Sequence, residues 1–273
     1  MTTSTTLRTP PRTRHLAPRP APDDVRSLGT VLGVWAHPDD ETLLSAGIMA
    51  AARDAGRRVA CVTATLGEHG TGAPHLWPPG RLGAVRALEL RASLAALGVT
   101  EHETLGIEDG TCAAQPHDAM VRRIAAVMRR VRPDTVLTFG PDGLTGHADH
   151  QAVSAWATAA RALAAPHARL LYATTTAAFV DRWEPSREAF DVFLADGLPL
   201  RTPSADLAVD LRLEGAALDR KIVALRAQAS QMAGLFDALG EDLVRDCWGT
   251  ETFVPAETAL ARAHSFGTWE VAA

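Results

Sequence analysis

The chain of 273 residues carries 27 basic and 32 acidic side chains, a formal net charge of −5, 47% hydrophobic and 22% charged residues. With a mean hydropathy of −0.01 these are the proportions of an ordinary globular protein, and they exclude a disordered chain or a bundle of membrane spans. A sequence isoelectric point near 6.1 leaves no overall basic footprint for nucleic acid or anionic lipid, so neither is expected as a partner.

In chain order, the opening "MTTSTTLRTPPRTRHLAPRPAPDD" is rich in Thr, Pro and Arg and predicts a disordered tail over residues 1–27, ahead of one domain over 28–273. It has no apolar core of the kind a secretory leader carries, which points to a cytoplasmic protein. An apolar run at 30–36 predicts the first strand, followed by a helix over 41–55 that stops at Gly56. "RVACVTATL" (58–66) reads as a second strand and "GEHGTGAPHLWPPG" as a mobile loop. A long helix over 81–98, a short strand near 102–106 and a helix over 117–131 come next. "DTVLTFGP" (134–141) is a further strand that opens into the polar "DGLTGHADH", before a helix over 150–164 and a strand over 168–176. The stretch to 213 is less regular, and 214–239 reads as one long amphipathic helix.

Strands alternating with helical segments predict a single α/β domain, Rossmann-like, with a mainly parallel sheet and helices on both faces. A dinucleotide site is excluded locally, because the first strand runs into His-Pro-Asp-Asp-Glu and not into a glycine-rich phosphate turn. Cys61, Cys112 and Cys247 are far apart and lack CxxC spacing, which argues against a disulfide framework or a cysteine metal site.

Two polar clusters follow two predicted strands, at the carboxyl ends where open α/β sheets bind ligands. His37 and Asp40, three apart at a strand-to-helix turn, can reach one ion, and His147 and His150 repeat that spacing. A catalytic divalent metal needs imidazole and carboxylate donors with a position left open, and this set supplies them. Asp39 is then free to serve as a base. Taken singly, acids near a helix N-terminus are often there for the macrodipole, and HxxH alone is a weak signal. Their joint placement after parallel strands favours a metal site over either plain reading.

"AHPDDE", "TATLGEHG", "RALELRASLAALGV" and "GPDGLTGHADH", in that order over about residues 30–155, resemble the zinc-dependent N-acetylglucosaminyl deacetylases of the LmbE-like or PIG-L-like family. The resemblance implies that His37, Asp40 and His150 hold Zn2+, Fe2+ or another divalent ion. It further implies that Asp39 is the general base, that His147 stabilises the oxyanion and protonates the leaving amine, and that Asp149 orients His147. The implied substrate is a small N-acyl amino sugar, with a larger amide or a silent binding role as the alternatives, and a homo-oligomer is compatible with it. Thr145 replaces the tyrosine some members carry, and Gln228 stands where a histidine is common.

Glu68, Arg86 and Asp109 are candidate substrate contacts. A mobile loop, a solvated helix face and a turn are the respective plain alternatives. Trp77 is placed to stack on a sugar, whereas Trp35, on the strand, is expected in the core.

Overall fold

The computed structural model describes residues 25–183, 193–195 and 197–266. Most of the expected tail, residues 1–24, lies outside the described residues, while Val25–Leu28 form a 3-10 turn that buries Leu28.

The regular elements are β1 (Val31–Trp35), α1 (Asp40–Asp54), β2 (Val59–Thr63), α2 (Pro79–Ala96), β3 (Glu101–Thr104), α3 (His117–Val131), β4 (Thr135–Phe139), α4 (Gly143–Gly146), α5 (Ala148–Ala164) and β5 (Arg169–Ala173). They continue as α6 (Ala177–Trp183), β6 (Val209–Arg212), α7 (Gly215–Arg226), α8 (Ala229–Leu239), α9 (Glu241–Trp248), β7 (Thr250–Pro255) and α10 (Ala256–Phe266). One seven-stranded sheet runs β3-β2-β1-β4-β5-β7-β6. Its first five strands are parallel, and β7 pairs antiparallel with both β5 and β6. Every residue of β1, β2 and β4 is buried, the consequence of helices covering both faces of a parallel sheet. That burial is why these strands read as unbroken apolar runs. α1, α2 and α7 pack together, and α3 packs on α5. The buried stripe Met120, Ile124, Val127, Val131 recurs at three- and four-residue steps, which fits α3 to that single face.

The chain leaves β1 towards β2 and β3 on one side, then returns to β4 on the other. Loops leaving β1 and β4 therefore part at the sheet's switch point, where a crevice opens beyond the strand ends.

Two expectations change in the C-terminal third. The irregular stretch to 213 holds α6 and β6, and the helix expected over 214–239 is two helices with a break at Gln228. The apolar rhythm crosses that break, so periodicity alone could not locate it. Tertiary bonds make it: Gln228 leaves helical geometry at φ −97° and ψ 50°, and its Nε2 donates to Glu41 Oε1 (2.7 Å) and Thr42 Oγ1 (2.9 Å). Glu89 of α2 then receives the Ser230 amide (2.8 Å) and hydroxyl (2.6 Å), satisfying the first turn of α8.

Lys221, the single lysine, is buried against Glu251 with Nζ to Oε1 at 2.8 Å. Its ammonium also donates to Leu43 O (2.8 Å), while Glu251 accepts the amides of Gly47 (2.7 Å) and Ile48 (2.9 Å). The pair is thus bonded to the backbone of α1 and ties β7 to that helix.

Candidate active site

At the end of β1, the His37 amide donates to Asp40 Oδ2 (2.8 Å), which turns the chain into α1. Asp39 sits at φ 111°, a conformation that costs a non-glycine residue on the order of 1–3 kcal/mol. Its amide is held by Glu41 Oε2 (3.1 Å), and its carbonyl accepts the Thr42 (2.9 Å) and Leu43 (2.8 Å) amides that begin the helix. This backbone twist sends the two neighbouring carboxylates in different directions. Asp40 faces His37 and His150, whereas Asp39 Oδ2 meets Arg86 Nη2 at 3.1 Å.

After β4, Asp142 Oδ2 accepts the Leu144 amide (2.9 Å) and closes the turn there. His147 then caps α5, its Nδ1 accepting the Asp149 amide (3.2 Å). His150 stacks on Phe139 with ring centroids 4.1 Å apart, and its Nδ1 bonds Gly143 O at 2.9 Å. A proton on Nδ1 leaves Nε2 with a free lone pair, aimed 3.2 Å from His37 Nδ1 and 3.6 Å from Asp40 Oδ1. His37 Nδ1 lies 3.7 Å from Asp40 Oδ2.

The other nitrogen of His37 faces carboxylates, Asp109 Oδ1 at 3.1 Å and Asp149 Oδ2 at 3.3 Å. This corrects the role expected for Asp149. Its carboxylate does not reach the His147 ring; it accepts the Gly110 (2.8 Å) and Cys112 (3.0 Å) amides and faces His37. A fully buried carboxylate seeks donors, and the 110–112 turn presents two. Only its backbone amide serves His147. Asp109 is likewise more than a turn former, since its carboxylate lines the crevice.

Arg86 corrects the solvated-face alternative, being 4% exposed. Besides Asp39 it donates to Gly67 O (2.7 Å) and Pro38 O, so its guanidinium clamps the two loops together. Gly67, at φ 59°, is required there, because a Cβ would lie 2.0 Å from Arg86 Nη1. Glu68 braces the site from behind: Oε1 accepts the Asp109 amide at 3.1 Å, and its side chain does not line the crevice. Trp77 is also off the crevice, under the Arg81 guanidinium at 4.9 Å, and Trp35 is in the core as expected.

Charge and burial oppose each other at this corner. Burial disfavours a charged His37, yet the carboxylates of Asp109, Asp149 and Asp40 outweigh it and push its pKa up to about 10. Burial lifts Asp39 to about 6 despite the pull of Arg86, and it raises Asp40 as well. Burial, with the neighbouring His37 cation, presses His150 down to about 3. Asp109 is held down at about 2, hydrogen bonding from His37 overcoming the cost of burial.

So many carboxylates around one imidazole call for a cation, and the donors fit one. The His37 Nδ1 to His150 Nε2 separation of 3.2 Å is close to the edge of about 3.3 Å expected for a tetrahedron of first-row metal ligands, and Asp40 borders both, with Oδ1 3.6 Å from His150 Nε2 and Oδ2 3.7 Å from His37 Nδ1. Asp109 and Asp149 behind His37, and Gly143 O behind His150, supply the outer partners that orient metal-binding imidazoles. Among the described residues, the sets of three whose donor atoms all lie within 4.8 Å of one another are His37 with His147 and His150, and His37 with Asp109 and Asp149; Asp40 borders the first of them.

The crevice has a volume of about 390 Å3, within the range of small-molecule sites. His37, Asp39, Asp40, Asp109 and His147 form one wall, with Thr145 beside His150. The lining also brings in Phe179, Trp183, Phe193 and Trp248, none of them singled out by sequence, with Trp183 ringed by Phe179 and Trp248. Asp109 aside, the partners of the motif residues were also hidden, because Glu41, Gln228 and the 110–112 amides act through contacts distant in the chain.

The PIG-L family model, described as GlcNAc-PI de-N-acetylase, matches residues 32–161. A 1D-myo-inositol 2-acetamido-2-deoxy-alpha-D-glucopyranoside deacetylase of Acidothermus cellulolyticus is 35% identical over 84% of this chain and 88% of its own length. One of the same description from Thermomonospora curvata is 33% identical over 82% and 89%. Among solved structures, a conserved protein of Thermus thermophilus superposes with a TM-score of 0.57 at 25% identity, covering 82% of this chain and 93% of its own.

Proposed function

The chain belongs to the PIG-L, or LmbE-like, family, and from that premise we propose that it is a metal-dependent hydrolase removing the acetyl group from an N-acetylated amino sugar or its glycoside. The observation that carries this is the meeting of His37, Asp40 and His150 within 3.2–3.7 Å, with Asp39 beside them on the same crevice wall. His37, Asp40 and His150 hold a divalent ion, zinc or ferrous iron in the first instance. When bound, such an ion polarises the amide carbonyl and lowers the pKa of water.

The protein's own groups do the rest. Asp39, oriented by Arg86, accepts the proton of the attacking water as its oxygen bonds to the amide carbon. His147 receives the Asp149 amide at Nδ1, which puts its ring proton on Nε2. That N–H is a hydrogen-bond donor to the developing oxyanion, and the proton taken up by Asp39 passes to the departing nitrogen. The C–N bond breaks, and acetate and the free amino sugar leave. Asp109 and Asp149 keep His37 turned to the ion.

Among the described residues no helix is long and apolar enough to cross a membrane. With three separated, unpaired cysteines this favours a cytoplasmic enzyme acting on a small molecule.

The experiment is acetate release from a panel of N-acetylglucosamine derivatives by the metal-loaded chain, the stripped chain and Asp39→Ala. Acetate only with both metal and Asp39 is the expected result. No acetate from any sugar while one equivalent of metal stays bound sinks the proposal.

A further inference from the structure

Resting on the acetyl-removing reading above, we propose that the substrate is a glycoside whose aglycone is apolar and aromatic, bound against Phe179, Trp183, Phe193 and Trp248. The acetyl group and one sugar ring do not account for the whole of the 390 Å3 crevice, which leaves part of it for the aglycone. That end meets an aromatic wall: Phe179 lies 6.3 Å from Trp183, and Trp183 stands edge-on to Trp248 at 5.1 Å. Leu43 and Leu144 add apolar surface to the same crevice.

Several of the polar side chains that line the crevice beside these rings are committed within the protein. The Thr174 hydroxyl bonds Thr202 Oγ1 (2.6 Å), Thr252 donates to Thr174 O (2.6 Å), and Thr175 donates to Leu200 O. Glu251, also lining the crevice, is taken by Lys221 and two amides of α1. A polyol laid here exchanges its water for carbon without compensating hydrogen bonds, which is unfavourable. An aryl or fused-ring aglycone instead buries apolar area and stacks on the ring faces. The relatives described above are named for an inositol glycoside, a polyol. This chain's wall selects against such an aglycone.

The test compares kcat/KM of the metal-loaded full chain for 4-nitrophenyl N-acetylglucosaminide, the inositol glycoside and free N-acetylglucosamine. The aryl glycoside is expected to exceed the inositol glycoside at least tenfold, mainly through KM. In Phe179→Ala and Trp248→Ala the ratio of aryl to free-sugar kcat/KM falls at least fivefold. Phe179→Leu, which keeps apolar volume without the ring, shows a smaller fall and covers a failure of the alanine variants to fold. An inositol glycoside turned over as well as the aryl one overturns the proposal. So does a preference for N-hexanoyl over N-acetyl glucosamine that vanishes in Phe179→Ala, which assigns the wall to the acyl chain. If no sugar releases acetate, the reaction has been misread, and calorimetry decides the wall separately. Tenfold tighter binding of 4-nitrophenyl glucosaminide than of the inositol glucosaminide supports an aryl site, and equal binding overturns it.

Discussion

His37 and Asp40 lie three residues apart at one strand end, whereas Phe179, Trp183, Phe193 and Trp248 reach the same crevice from α6, a connecting segment and α9. The first wall depends on angles. A carboxylate or imidazole displaced by an ångström would lose the proposed ion, and these residues sit on strand ends and first helical turns. The second wall depends on area and shape, which many residues at many positions can supply. On the proposed reading, reaction type and substrate identity reside in different parts of the chain, and one can vary while the other stays.

Substitutions can test that separation. The largest effect is expected on the polar wall: His150→Ala should lose the metal, measured per chain by elemental analysis, and cut acetate release by about 10^3-fold or more. Full metal content in that variant breaks the assignment. Next comes the join between the walls. Lys221→Met leaves Glu251 buried and unpaired, and denaturant unfolding should show a loss of about 3–5 kcal/mol. Adding Glu251→Gln to it, which keeps an acceptor for the amides of α1, should restore much of that loss.

A smaller effect tests the turn beneath His150. Burial raises Asp142 from 3.8 to about 6, so the folded chain holds that proton more tightly than the unfolded chain does. Its contribution is most favourable below about pH 4 and declines as pH rises to about 6. Asp142→Asn keeps the acceptor for Leu144 without the charge, and should raise stability at neutral pH by up to about 3 kcal/mol, fading towards pH 4. A gain independent of pH contradicts the buried charge. The smallest effect is Asp109→Asn, which weakens the grip on His37 and should lower metal affinity by about 10–100-fold in a chelator competition. Unchanged affinity makes Asp109 a substrate contact instead of a positioning residue.

Legibility followed the range of the forces involved. β1, β2 and β4 were visible because burial on both faces leaves only apolar residues. α3 was found to the residue, His117–Val131, because one amphipathic stripe spans it and Pro116 precedes it. β6 and β7 escaped. They are antiparallel additions at the sheet's far edge, and β6 alternates buried and open positions over only four residues. Gln228 escaped too, since its break is made by Glu41 and Thr42, nearly two hundred residues away.

By itself the sequence determined the α/β order, the two polar turns and the donors within them. Each follows from neighbours along the chain: the strand end, the proline and acids after it, and the helix start. Only the tertiary structure decided that Asp149 serves His37, that Arg86 is buried against Asp39, and that the crevice is in part aromatic. Those outcomes depend on which distant groups compete for a buried charge or a lone pair, and on which side chains fold down over the sheet's end. No local pattern carries that competition, because it is settled among residues that meet only when the chain is packed.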